Sequence, residues 1–434
     1  MIEAIKIPKL QSNYRWVICA LLFFATTINY IDRQILSLIK PILDEQLKWS
    51  NEDFGMVNSA FQGAYGIGLL AFGWFIDKYG TKIGYAVSIT AWSVAAIGHA
   101  LVGSVGGFFA ARIALGLGEG GNFPSAIKAV ALWFPKKERA LATSIFNSGT
   151  NVGAIIAPAL VPWIAFTWGW QAAFVAAGLA GFLWLFLWIP FYNVPENIKR
   201  VHESEMAHIR SDADESEKNS KVPWLRLLAY RQTWSFIVAK FLTDPVWWFF
   251  LIWLPDYFKQ TRGLDIKQSW VHLVTIYFVV TVLSIAGGWV TGYLTKRGWT
   301  VTRARKTGMF IFALLVLPIL TVTSVGDWTA VLLIGLAGAA HQAWSANLFT
   351  TVSDMFPKNA VASVIGIGGM AGALGGMIFP TLTGKLLDVF KASGNITGGY
   401  AILFSVCALL YLATFVIHHL LAPRFERFEM KEAL

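Results

Sequence analysis

Twelve runs of about 20 predominantly apolar residues constrain this chain more than any motif in it. They lie at roughly 16-39, 54-76, 83-104, 107-133, 140-166, 171-193, 233-257, 269-294, 307-325, 328-355, 361-386 and 400-421. In hydrocarbon each backbone N–H and C=O must be satisfied within its own segment, so every run reads as a membrane-crossing helix. The expected fold class is therefore an all-α membrane protein with twelve transmembrane helices. Composition agrees: 56% of the 434 residues are hydrophobic and 14% charged, about half the charged share of a soluble domain.

The gaps between runs are short except for one, from Pro195 to Arg231, where Glu196, Lys199, Arg200, Glu203, Glu205, Asp212, Asp214, Glu215, Glu217 and Lys218 cluster. It divides the chain into a six-helix half over 1-194, a cytoplasmic linker over 195-231 and a second six-helix half over 232-434. With the N-terminus in the cytoplasm, the inner loops are lysine- and arginine-rich (Lys136, Lys137, Arg139; Lys296, Arg297, Arg303, Arg305, Lys306) and the outer loops sparser (Lys40, Lys48, Lys259, Lys391). That asymmetry sets both termini inside and explains the net charge of +10 as topology rather than a nucleic-acid surface. Cys19 and Cys407 lie far apart in apolar runs and support neither a disulfide framework nor a metal site. The basic residues Lys6, Lys9 and Arg15 precede an apolar run with no small-residue cleavage pattern, which reads as an uncleaved first helix.

The two halves resemble each other. Gly73-Trp74 recurs as Gly288-Trp289, an offset of 215; Gly153-Ala154 as Gly372-Ala373, an offset of 219; and Phe134-Pro135-Lys136 as Phe356-Pro357-Lys358, an offset of 222. Two parallel repeats predict pseudo-symmetric halves with a solute site near the membrane midplane between them.

Charges inside the runs point to that site. Asn29-Tyr30-Ile31-Asp32-Arg33-Gln34 puts a carboxylate and a guanidinium into apolar surroundings, at a cost of at least ~2.5 kcal/mol for each charge, so such residues face a bundle interior or a water-filled path. In the fourth run Arg112 and Glu119, seven residues apart, share one helix face about two turns apart. Arg112 can hold a carboxylate with a planar fork of donors, and Glu119 can take and release a proton; the alternative is a structural ion pair of Glu119 with Arg112 or Arg33. In the seventh run Lys240, Asp244-Pro245, Trp247 and Trp248 place charges beside a proline expected to break the helix, tolerable where the break lines a cavity. Lys240 has a second reading, snorkelling to the interface. In the tenth run His341, Gln342, Ser345 and Asn347 concentrate polar groups that read either as a sugar-facing wall or as packing residues. Tyr65, Asn147, Ser148, Thr150 and Tyr277 offer hydroxyls and amides that serve a polyol or simply bond neighbouring helices.

Other patterns fall away. Gly116-Leu117-Gly118-Glu119-Gly120-Gly121 matches a dinucleotide fingerprint, but no strand precedes it, and its glycines suit close helix packing. No phosphate-binding loop for ATP is present, and no nucleophile–base pair or metal cluster survives inspection, so an enzyme is not expected. No cofactor is expected. A membrane receptor would need a signalling domain, for which the short tail and linker leave little room.

Gly73-Trp-Phe-Ile-Asp77-Lys78-Tyr79-Gly80-Thr81-Lys82 reads G-x-x-x-D-[RK]-x-G-x-[RK] on the loop between the second and third runs. It resembles the signature of the major facilitator superfamily, where the Asp pairs with neighbouring helix ends and stabilises one orientation of the halves. The second copy has Gly292 at the Asp position. Tyr30-Ile-Asp32-Arg33, Arg112, Glu119 and Trp133-Phe134-Pro135-Lys-Lys-Glu138-Arg139-Ala140 resemble, more narrowly, the anion:cation symporter family. Within it, the Lys240 to Trp247 stretch and His341-Gln342-Ala343 look most like bacterial hexuronate transporters, which take glucuronate and galacturonate. The resemblance implies a monomeric, proton-driven importer of a sugar acid in the bacterial inner membrane. It implies that Arg33 and Tyr30 grip the substrate carboxylate, that Tyr65 is a further contact, that Asp32 and Glu119 carry protons, and that Arg112 interacts with Glu119. An amide used by aldonate-transporting relatives is Gly369 here. An aldonate, aldarate or aromatic acid, and sodium coupling, remain the alternatives.

Overall fold

The structure, a computed structural model, describes residues 12–211, 224–356 and 358–425. Each apolar run folds as helix. The first six become α1 (Tyr14–Leu47), α2 (Asn51–Tyr79), α3 (Thr81–His99), the pair α4 (Val105–Glu119) and α5 (Asn122–Trp133), α6 (Lys136–Trp168) and α7 (Trp170–Phe191). Two short helices, α8 (Glu203–Ile209) and α9 (Trp224–Leu227), belong to the connection between halves. The last six runs become α10 (Arg231–Arg262), α11 (Ile266–Lys296), α12 (Val301–Val316) continued by a 3-10 stretch Leu317–Ser324, α13 (Asp327–Met355), α14 (Lys358–Ala392) and α15 (Ile396–Leu421). By length and composition, 8 of these helices can cross a membrane; α3, the α4–α5 pair, α11 and α13 complete the twelve spans. No strand occurs among the described residues. The acidic stretch Asp212, Asp214, Glu215, Glu217 and Lys218, the N-terminal Lys6 and Lys9, and Pro357 of the repeated Phe-Pro-Lys lie outside the described residues.

Local chemistry sets the helix ends. Ser50 and Asp53 form a reciprocal capping box on α2, satisfying two otherwise unpaired N–H groups. Asn395, part of a glycosylation-like Asn-Ile-Thr, instead caps α15 by accepting from the Gly398 N–H at 3.0 Å. Gly80 turns the chain between α2 and α3 at φ +86°, a conformation that a side chain would strain.

Two expectations are corrected. The fourth run is not one helix: it is interrupted at Gly120 and Gly121 between α4 and α5. Pro124 in the first turn of α5 cannot donate the amide bond that would carry the helix through, and the paired glycines add little helical preference. Conversely, Pro245 does not break the seventh run, since α10 continues through Pro245 and Pro255. The carbonyl that Pro245 leaves without its usual amide is that of Phe241, and it abuts Gly375 of α14, where a Cβ would collide with it. The missing side chain lets α14 close over the freed carbonyl.

Packing reveals the pseudo-twofold. In the first half α1 packs on α6, α2 on α4, and α3 on α4 and α7; in the second, α10 packs on α14, α11 on α13, and α12 on α13 and α15. Across the seam, α2 meets α14 and α6 meets α11, pairs that exchange under the same twofold, while α1 meets its own counterpart α10.

The halves are pinned at one end. Lys40 Nζ donates to Asp256 Oδ1 and to Asp44 Oδ2, both at 2.8 Å, and the Tyr400 hydroxyl donates to Asp256 Oδ2 at 2.6 Å. Asn51 and Glu52 amides donate to Asp388, and Ser59 bonds Thr381. Between described residues, all hydrogen bonds and ion pairs joining the halves lie at this end, over residues 40–59 with 256–259 and 381–388. Lys40 was expected in an outer loop; it is 2% exposed inside α1, because α1 runs eight residues beyond the apolar run, to Leu47. At the opposite end the polar contacts stay within a half or tie the linker to one of them, as where Arg231 donates to the Leu420 carbonyl of α15 at 2.7 Å. Arg15 pairs with Glu138 and Glu205, and Glu205 accepts from the Tyr14 and Arg15 amides.

Candidate functional site

The buried charges of both halves converge on the seam. Arg33 on α1 donates from Nε to Glu119 Oε2 at 2.6 Å, with the two side chains 5% and 0% exposed. Its guanidinium carbon lies 4.4 Å from the Tyr65 ring, 5.1 Å from Tyr30, 5.4 Å from Phe61 and 5.5 Å from Trp248. Trp248 comes from α10 in the other half, so this aromatic box is closed only when the halves meet. Rings around a cation stabilise it without neutralising it, leaving it able to take an anion.

Asp32, Arg33, Arg112 and Glu119 lie within electrostatic reach of one another. Both Asp32 oxygens, Arg33 Nη2, Arg112 Nε and Nη2, Glu119 Oε1, both Asn29 amide atoms, Gln34 Nε2 and Gln62 Oε1 are buried without a protein hydrogen-bond partner. Buried polar atoms are usually satisfied. Those of Asp32, Arg33, Arg112 and Glu119 belong to one charged cluster on the seam, which makes it the candidate place for a polar solute.

Glu119 is bonded to Arg33 rather than to Arg112, so of the two ion pairs open from the sequence the structure holds the one between α4 and α1. Arg112 instead stands 5.5 Å from the Phe61 ring.

The second half presents a matching wall. Lys240 Nζ pairs with Asp244 Oδ2 at 2.6 Å, the carboxylate side chain being 20% exposed, and the ammonium also faces the Phe349 ring at 4.6 Å. Trp247 stacks on His341 with centroids 5.6 Å apart and planes at 5°, and His341 Nδ1 bonds the Tyr411 hydroxyl at 2.6 Å. Lys240 does not snorkel; its ammonium is held inside. Ser345, one turn from His341, follows that face, and Gln342 is half-buried beside it on α13.

Other candidates are placed elsewhere. Asn347, grouped with His341 from sequence, accepts from Arg305 at 3.4 Å in a cluster with Asp354; six residues on a helix turn a side chain well away from its partner. Asn147 is exposed and makes no hydrogen bond to the Arg33 cluster. Tyr277 donates to the Phe250 carbonyl at 3.1 Å, an interhelical tie. At the Gly73 to Lys82 loop, Asp77 accepts from Lys128 at 2.7 Å while Lys128 also donates to the Ile76 carbonyl, stapling α5 to the end of α2. Gly73 faces open space, and Lys82 contributes its carbonyl to Trp188. Sequence reasoning did not single out Gln62, Tyr411 or the Lys40–Asp256 pair; an ionisable residue in an apolar helix was the available signal for Lys40 and Asp256.

Comparison with known proteins adds the lineage. The profile of the Major Facilitator Superfamily matches residues 22–380. A hexuronate transporter of Escherichia coli (strain K12) is 32% identical over 403 residues, 92% of this chain and 91% of that one. A probable galactarate/D-glucarate transporter of Bacillus subtilis (strain 168) is 30% identical, over 89% and 88% of the two chains. Among solved structures a D-xylose-proton symporter superposes with a TM-score of 0.74 at 15% identity, covering 93% of this chain and 97% of that one.

Proposed function

We propose, from the premise that this chain belongs to the Major Facilitator Superfamily, that it imports a hexuronate such as glucuronate or galacturonate together with a proton. It is a multi-pass membrane transport protein, not an enzyme. The similarity to a hexuronate transporter and to a probable galactarate/D-glucarate transporter supports the substrate class. We assign the halves to residues 1-194 and 232-434, the linker to 195-231, both termini to the cytoplasm and the protein to the bacterial inner membrane as a monomer, with no cofactor beyond the proton gradient.

The observation that carries the reading is Arg33, a single guanidinium held by Glu119 and boxed by rings from both halves. A substrate carboxylate and Glu119 compete for it. A proton on Glu119 cancels that carboxylate's hold on Arg33 and frees the fork for the substrate; loss of the proton restores the internal pair and expels the anion. Asp32 is a second proton carrier beside Arg112. Tyr30 and Tyr65 flank the carboxylate, while Gln62, Lys240, Asp244 and His341 face hydroxyls and Trp247 and Trp248 meet the ring. With the termini inside, the Lys40–Asp256 latch closes the outer face, and rocking of the halves alternates access.

The test is uptake of labelled glucuronate into proteoliposomes under an inward proton gradient. Accumulation lost with a protonophore and competed by galacturonate is expected; absence of uptake by folded protein removes the assignment. An aldarate is the second reading, favoured by the Bacillus subtilis relative, and competition by excess galactarate but not galacturonate would select it.

A further inference from the structure

Each half brings the seam one buried cation already held by a carboxylate. These are Arg33 with Glu119 and Lys240 with Asp244, both at 2.6 Å. On α10, Lys240, Asp244 and Trp248 follow at one-turn spacing and so share one side of the helix. Since Trp248 lies 5.5 Å from the Arg33 guanidinium, the second pair continues the same wall, one to two turns, about 5–11 Å, farther along the axis. Asp244 also lies within electrostatic reach of Tyr30 across the seam. Its place is made by Gly372 on α14, where a Cβ would strike the carboxylate.

The charge balance then restricts what can enter. Asp32, Glu119 and Asp244 offset Arg33, Arg112 and Lys240. A solute with one carboxylate, arriving with one proton, preserves that balance. A sugar acid carboxylated at both ends brings a second negative charge, and Lys240, the cation that the α10 wall places toward its far end, is already neutralised by Asp244. An uncompensated charge in a low-dielectric site is strongly disfavoured.

We propose that Asp244 is a specificity-determining residue that, by holding Lys240, limits the site to sugar acids with a single carboxylate. The inference rests on the reading of Arg33 as the site of the first carboxylate. Asp244→Asn keeps the shape under Gly372 and releases Lys240 to receive the second carboxylate of an aldarate.

The experiment measures uptake of labelled glucarate and labelled glucuronate by wild type, Asp244→Asn and the double variant Lys240→Met/Asp244→Asn in proteoliposomes. The quantity read is the ratio of glucarate to glucuronate. Asp244→Asn should raise it about tenfold or more, the effect of one well-made charge contact, and the double variant should return it to the wild-type value. The double variant removes both charges together, so no lone buried charge threatens its fold. An unchanged ratio in Asp244→Asn, with proton-driven glucuronate uptake intact in wild type, overturns this inference alone, as does a rise that survives loss of Lys240. Wild type that prefers glucarate overturns it together with the hexuronate reading.

Discussion

Arg33 has a planar fork of donors, and Glu119 takes only part of it, leaving Nη2 without a protein partner. That geometry makes the residue replaceable only at a cost. Arg33→Lys keeps the charge but loses the bidentate fork; substrate affinity should fall by about 10- to 100-fold, the worth of one hydrogen bond to a charged group, as read by ligand-induced thermal shift. Wild-type affinity in that variant would remove Arg33 from the carboxylate contact. Glu119→Gln imitates the protonated state permanently, so counterflow exchange should persist while gradient-driven accumulation disappears; uphill accumulation by the variant would sink the coupling role. Arg33, Glu119, Arg112 and Lys240 were all legible in the sequence, because a charge within an apolar run is expensive and needs a reason. Which partner each would choose was not. Spacing on α4 says that Arg112 and Glu119 share a face, but only the approach of α1 decides that Glu119 meets Arg33.

The same limit holds for whole helices. Pro245 was expected to break α10, yet the helix persists because α14 presents Gly375 to the freed Phe241 carbonyl. The fourth run was expected to be continuous and is divided, because Pro124 and the adjacent glycines weaken the backbone where α4 is already wedged between neighbours. A Cβ on Gly118 would lie 2.6 Å from the Trp92 amide nitrogen of α3, so Gly118→Ala should destabilise the first half by roughly 1–3 kcal/mol, measured as a lower unfolding midpoint in detergent. An unchanged midpoint would show that α3 and α4 can part at little cost. At the pinned end, Asp256→Asn leaves Asp44 as the charged partner of Lys40 and provides one acceptor oxygen where Lys40 and Tyr400 now use two. Spin labels at residues 48 and 391 should then populate longer separations, and an unaltered distance distribution would mean that the pair does not hold the halves together.

Across the whole molecule, the internal repeat locates the latch. Lys40 and Asp256 are 216 residues apart, inside the 215 to 222 offsets of the repeated motifs. They therefore occupy equivalent positions in the two halves and meet on the pseudo-twofold axis. The repeat was visible in sequence; that its equivalent positions carry opposite charges and touch was not. The start of the linker is anchored to the first half through Glu205. Burial works against the charge of Glu205, but bonds from Ser12, Arg15 and Tyr14 outweigh it and hold its carboxyl below the usual glutamate range. A depressed carboxyl contributes stability above its unfolded value of about 4.3, and that contribution disappears as pH falls through the folded value. The difference in unfolding midpoint between wild type and Glu205→Gln should thus be present at neutral pH and shrink below about pH 4. A difference independent of pH would assign the effect to packing.

The twelve spans, the two repeats, the long central connection and the charged residues of the candidate site were determined by the sequence alone, because burial of backbone and charge in hydrocarbon depends on local composition and tolerates few solutions. The tertiary structure alone decided which end of the seam is pinned, that Trp248 closes the box around Arg33, that Asp244 neutralises Lys240 and that Asn347 belongs to Arg305. Those are contacts between helices distant in sequence, set by how side chains interlock across an interface, and no periodicity within one helix records the identity of its neighbour.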